Sequence, residues 1–149
     1  MLAIASQAIS RAESPETTDA KDEFVLLPKD ARCKGPIVMA GPKEDGVIGY
    51  WTGLGTSVDW DISHIPKGRY SISIEYRARD VGGELELTVG EKRTREKLRP
   101  TPGFNYDKQR LGIIEISGGP ANLNLEATKI TSWGYLMDLK KVVLKKVKV

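Results

Sequence analysis

The 149-residue sequence predicts an all-β fold, a two-sheet antiparallel β-sandwich or jelly roll. Three observations carry that prediction. From Phe24 onward apolar and polar residues alternate with a period of two, and no 3.6-residue pattern competes. Each alternating run has one apolar and one polar face, as strands do when a sheet buries one side against a partner sheet. Turn residues separate the runs at fairly even spacing, as in sandwiches and jelly rolls.

The elements follow in chain order. Val58, Trp60 and Ile62 alternate with Asp59 and Asp61, which places Trp60 in the core. Pro66-Lys67-Gly68 is a turn, with proline fixing φ and glycine accepting a positive φ. The longest strand runs from Arg69 to Arg79, with Tyr70, Ile72, Ile74, Tyr76 and Ala78 facing inward. Gly82-Gly83 leads to a strand in which Leu85, Leu87 and Val89 alternate with Glu84, Glu86 and Thr88. Pro100 to Lys108 reads as a loop, and Leu111 to Ile116 as a strand. Gly118-Gly119-Pro120 precedes Leu123, Leu125 and Ala127, which alternate with Asn122, Asn124 and Glu126. A last strand follows Trp133-Gly134-Tyr135.

Composition narrows the chemistry. Hydrophobic residues make up 40% and charged residues 29%, ordinary values for a globular domain. No apolar run approaches the ~18 residues of a membrane span. One cysteine, Cys33, excludes an intrachain disulfide and reads as a small buried apolar group. With the one histidine, His64, it leaves too few soft ligands for a zinc site. Catalysis by a serine or cysteine nucleophile would depend on His64 as the only imidazole base. The net charge of +3 is unevenly spread, with −3 over residues 13–22 and +5 over residues 23–149. That surplus suits an acidic polymer but is far below the footprint of a nucleic-acid binder.

The first 22 residues stand apart. MLAIASQAISRA is apolar and small, with Ser10 and Ala12 at the −3 and −1 positions of a signal cleavage point, although no basic residue precedes it. Glu13 to Glu23 is polar and acidic and reads as a flexible linker. The expectation is a leader and linker over 1–22, a β-sandwich domain over 23–149, and a secreted or periplasmic location.

Read in order, Gly49-Tyr50-Trp51, Ser57 to Ile62, Ile65-Pro66-Lys67-Gly68-Arg69-Tyr70, Ile74 to Ala78, Gly83 to Gly90, Thr101-Pro102-Gly103-Phe104, Leu111 to Ile116, Leu123-Asn124-Leu125 and Leu136 to Val142 form a series. This series resembles the galactose-binding-like jelly rolls of carbohydrate-binding module families six and thirty-five. It looks most similar to modules appended to bacterial fucosidases and other polysaccharide-degrading enzymes. The resemblance spans roughly residues 24–145. It implies a glycan site in the loops at one end of the sandwich, built from aromatics and a polar residue before the last strand. Matched onto this sequence, those positions are Tyr50 or Trp51, Phe104 in place of a usual Trp, and Asp138. Leu136-Met137 stands where such families often place an Asn. The resemblance also puts Asp30 and Asp138 near the ligands of a structural calcium, although two carboxylates fall short of the six to eight oxygens calcium takes. It further implies a catalytic domain or protein as partner.

Other features add candidates. Neighbouring rings in an extended segment point to opposite faces, so one of Tyr50 and Trp51 belongs to the core. Tyr106 and Trp133 lie in loops and complete an aromatic patch if those loops converge. In extended conformation Arg93, Arg95, Lys97 and Arg99 share one face, suited to the carboxylates or sulfates of an acidic glycan. Such a row also serves to guard a sheet edge. The leading reading is a non-catalytic carbohydrate-binding module. The alternative is a structural or protein-interaction sandwich with a degenerate sugar site. A small glycoside hydrolase ranks last, because no carboxylate pair across a cleft is evident.

Overall fold

Strand-forming alternation is realised along nearly the whole domain. The computed structural model describes residues 22–35, 38–40, 47–49, 51–79, 81–131, 134 and 136–147. Among them the strands are β1 (Glu23–Leu26), β2 (Arg32–Lys34), β3 (Val38–Ala40), β4 (Val47–Gly49), β5 (Ser57–Asp61) and β6 (Gly68–Arg77). They continue as β7 (Glu84–Val89), β8 (Lys92–Lys97), β9 (Asp107–Ile116), β10 (Asn122–Lys129) and β11 (Asp138–Lys146). No helix among the described residues is long and apolar enough to cross a membrane.

The strands form two sheets. A six-stranded sheet has the order β9-β6-β11-β4-β3, with β1 also paired to β11. A five-stranded sheet has the order β2-β5-β10-β7-β8. Every pairing between described strands is antiparallel, so the predicted sandwich is the observed one. The inward rows meet as their alternation dictates: Tyr70, Ile72, Ile74 and Tyr76 from β6, Leu85 and Leu87 from β7, Leu123 and Leu125 from β10, and Val142 and Leu144 from β11 are all fully buried. Trp60 is core, as its register with Val58 and Ile62 predicts, and its indole N–H donates to the Leu27 carbonyl at 2.9 Å.

Two details depart from expectation. Strand β9 begins at Asp107, inside the predicted loop, because Gln109 turns inward and finds three partners there. Its Nε2 donates to the Lys97 carbonyl at 2.9 Å, and its Oε1 accepts from the Arg99 amide at 3.1 Å. The Tyr76 hydroxyl oxygen stands 2.6 Å from the Arg99 carbonyl oxygen and 2.9 Å from Gln109 Oε1, and it donates its one proton to these acceptors. Cys33, expected to be buried, is exposed on β2, an edge strand with one neighbour.

This buried Tyr76–Gln109 pair welds the segment after β8 to β6 and β9. Tyr76→Phe removes that donor from the Arg99 carbonyl, while Gln109 Oε1 keeps the Arg99 amide. A loss of about 1–3 kcal/mol is expected in urea unfolding, with the fold retained by circular dichroism.

Candidate functional site

Three segments meet at the end of the sandwich where β6 finishes and β9 and β11 begin. The first follows β4. Trp51 accepts a hydrogen bond at its carbonyl from the Leu136 amide at 2.8 Å, which ties this segment to the approach of β11. Gly49 lies so close to that approach that a Cβ on it would stand 3.2 Å from Asp138 Oδ1. The second segment is the short 3-10 turn Pro102–Phe104, where Gly103 adopts a left-handed φ of 59°. Thr101 anchors it: its amide donates to the Ala78 carbonyl at 2.9 Å, and its hydroxyl accepts from the Ala78 amide at 3.2 Å. That anchoring brings Tyr106, just ahead of β9, beside the end of β6. The third segment is the first residue of β11, Asp138.

Arg77 joins the last two. It stands opposite Asp138 in the β6–β11 register, and its Nε donates to Asp138 Oδ2 at 2.9 Å. Its guanidinium carbon lies 4.9 Å from the centre of the Tyr106 ring, a cation–π distance. Lys140 Nζ lies 5.3 Å from the same ring centre and 3.8 Å from Glu75 Oε2. Lys141 reaches the other Glu75 oxygen at 3.6 Å. Both lysines reach one carboxylate because β11 bulges between Leu139 and Lys141, leaving Lys140 without a register partner on β6. The result is a half-buried phenol ring bordered by two cations, with a carboxylate fixed beside it. Desolvation by burial is the main cause that raises the Tyr106 phenol above its ordinary value, and Arg77 opposes it. The cluster sets an aromatic ring, two cations over it and a carboxylate together, a mixture of apolar and polar groups such as ligand sites use.

The candidates read from the sequence separate clearly. Tyr106 and Asp138 come together, bridged by Arg77. Trp51 does not join them: its ring is fully buried and its indole N–H donates to the Thr56 carbonyl at 3.3 Å. It belongs to the core, and no face remains to stack on a sugar. Leu136 and Met137, at the position of the expected Asn, are also fully buried. Tyr50, Trp133 and the side chain of Phe104 lie outside the described residues.

Arg93, Arg95 and Lys97 do share the outer face of β8, an edge strand. They stand opposite Thr88, Glu86 and Glu84, and Arg95 pairs with Glu86 at 3.4 Å. Arg99 lies beyond the strand, where its Nη2 donates to the Lys108 carbonyl at 3.0 Å. Of the suggested calcium ligands, Asp138 is engaged by Arg77 and Asp30 is exposed in the turn Pro28–Asp30; among the described residues no three or more His, Cys, Asp or Glu gather as a metal group. Sequence reasoning missed Arg77 and Lys140. Arg77 read only as a polar-face residue, and its signal was its position at the strand end beside the Tyr106 loop.

No family model matches the sequence, and no curated protein matches it. Solved structures do. A family 35 carbohydrate-binding module from Clostridium thermocellum superposes with a TM-score of 0.70 at 11% identity, over 84% of this chain and 98% of that one. The C-terminal family 6 module of LamC, a marine laminarinase from Zobellia galactanivorans, gives 0.66 at 14% identity, over 83% and 99%. The GH26-CBM35 β-(1,4)-mannanase of Podospora anserina gives 0.69 at 13% identity, over 87% of this chain and 28% of that chain. The chain thus has the β-sandwich fold of family 35 and family 6 carbohydrate-binding modules.

Two outcomes follow. Trp51→Ala should destabilise the domain by about 3–5 kcal/mol, seen as a lower urea midpoint; a stacking platform on the surface would leave the midpoint unmoved. Burial raises the phenols of Tyr70, Tyr76 and Tyr106. A phenol raised in the folded state keeps its stabilising contribution below the ordinary value of about 10 and loses it as pH climbs through the folded value. The urea midpoint should therefore fall with rising pH only in that alkaline window, together with phenolate absorbance.

Proposed function

We propose that this chain is a non-catalytic carbohydrate-binding module that holds an oligo- or polysaccharide at the loop end of the sandwich. The observation that carries the reading is the convergence of Tyr106, Arg77 and Asp138 at that end, on a fold shared with modules of two carbohydrate-binding families. In this reading Tyr106 gives the sugar an apolar contact beside the two cations over its ring, and Arg77, Asp138 and Lys140 offer hydrogen bonds to its hydroxyls. Phe104, Tyr50 and Trp133 are proposed to widen the aromatic surface. No bond is made or broken. A catalytic partner belongs to the same proposal, supported by the family 35 module carried within the Podospora anserina mannanase; export from the cell is proposed with it.

One observation favours a second reading, a structural or protein-interaction sandwich with a degenerate sugar site. Trp51, Leu136 and Met137 are all withdrawn into the core, which removes one aromatic and replaces the expected Asn with apolar groups.

Affinity electrophoresis of the full chain through gels containing neutral polysaccharides, mannan and laminarin among them, separates the two. The proposal expects retardation on at least one polymer, weakened about tenfold by Tyr106→Ala, the worth of an aromatic contact of about 1.4 kcal/mol. Asp138→Ala should weaken it as well, since Arg77 loses the carboxylate that orients it. Free migration of the wild-type chain on every polymer would leave the interaction sandwich standing.

A further inference from the structure

We propose that β9 is the contact of a symmetric dimer: it pairs antiparallel with the β9 of a second copy across a two-fold axis at Ile113, joining the two six-stranded sheets into one. Among the described strands β9 has β6 on one side and no partner on the other. A cleft of about 560 Å³ runs along that free edge, lined by every residue from Leu111 to Glu115 and, across the seam between the sheets, by Lys92, Thr94 and Glu96 of β8. The edge is therefore open, and the backbone polar groups of an open edge are a template for another strand. Ile113, a large apolar side chain in the middle of this stretch, is 39% exposed.

Register makes this edge complementary to itself. Arg110 stands opposite Ser73 and Gly112 opposite Ile72, so Leu111 is an extra residue, a β-bulge. Without the bulge Arg110 would share a face with Gly112 and Ile114. With it, Arg110, Ile113 and Glu115 all lie on the outer face of the sheet, and all three are exposed. Counting the bulged pair as one step, Arg110 lies two steps before Ile113 and Glu115 two steps after it. A two-fold axis at Ile113 then sets that side chain against its own copy and Arg110 of each chain against Glu115 of the other. Leu111 and Gly112 fall against Ile114, apolar against apolar. Neither Arg110 nor Glu115 forms an ion pair among the described residues, although Arg69 stands opposite Glu115 and Lys92 and Arg93 line the same cleft. The other edge at this seam behaves in the opposite way. Paired with its own copy about Arg95, β8 would set Arg95 against Arg95 and Arg93 against Lys97, like charge against like. One edge rejects a second copy and the other accepts one.

The test is sedimentation equilibrium of the full chain from low to high micromolar concentration, with a reductant present so that the exposed Cys33 cannot link two chains. The mass should rise with concentration towards that of two chains. A two-fold axis repeats every contact, so one substitution changes two pairs. Arg110→Glu and Glu115→Arg, each alone, turn both attractive pairs repulsive and should weaken the dimer by about tenfold or more. Mixed in equal amounts, the two variants match again, and a heterodimer should form. Damage to the fold in either variant would not be repaired by the other, so the mixture separates pairing from stability. Ile113→Lys sets two cations at the axis and should also weaken the dimer, with circular dichroism unchanged because the side chain is exposed. Arg95→Ala, on β8, should have no effect. A wild-type chain that keeps the mass of one copy at every concentration would overturn the proposal. So would a dimer indifferent to the β9 substitutions, or a mixture of the two charge variants that stays monomeric. Tyr106→Ala lies outside β9 and should leave the dimer intact, so this interface stands or falls separately from the loop-end reading.

Discussion

The pairing of β6 with β11 is the constraint from which the functional geometry of this domain descends. Ile72 and Ile74 on one strand and Val142 and Leu144 on the other must all face the core, and a slip of one residue would turn every one of them to solvent. Once those rows are buried, the outward residues have no freedom left. Asp138 falls opposite Arg77, Lys141 opposite Glu75, Val143 opposite Ser73 and Lys145 opposite Ser71. The bulge at Lys140 adds a second cation to the same carboxylate. Charge pairs at the surface contribute little stability by themselves. Their placement here is a consequence of core packing.

Strand β9 flanks the same end from the opposite side, and its start is fixed by a buried polar contact ahead of its apolar row of Leu111, Ile114 and Ile116. Gln109 interrupts the alternation, yet it is nearly fully buried and satisfies its amide with Lys97, Arg99 and Tyr76. An unmet amide at such a place would cost about 1–3 kcal/mol, so the segment from Lys97 to Arg99 cannot drift away from β9. Thr101 then holds the following turn against Ala78. Tyr106 reaches Arg77 because the chain on either side of it is pinned.

The fold was legible because period-two patterning needs only local sequence. Trp60, Tyr70 and Tyr76 were placed correctly by their register with neighbours two residues away. Trp51 was ambiguous for a physical reason: adjacent aromatics in an extended segment must point opposite ways, and nothing local says which one goes in. The start of β9 was missed because a buried glutamine looks like a loop residue until its three partners, from two other segments, are known. Cys33 was misjudged because burial of a small residue depends on how many neighbours its strand has. The candidate site was half legible. Tyr106 and Asp138 could be named, but Arg77, which joins them, is separated from Asp138 by 61 positions in the chain.

Register also explains why the conspicuous basic row is a poor candidate for an anion. Arg93, Arg95 and Lys97 announce themselves because they alternate within one strand. A strand, however, is read by its neighbours, and β7 presents Glu86 and Glu84 to Arg95 and Lys97. As an exposed edge strand, β8 also benefits from charge, which discourages pairing with another chain. The outer face of the other sheet collects its cations from β9 and β11, brought together only when β6 lies between them. No single stretch of sequence carries that pattern. Lys108 and Lys141 both stand opposite Glu75 there, and Lys145 opposite Glu23, so the topology that gathers these cations gathers their acids with them.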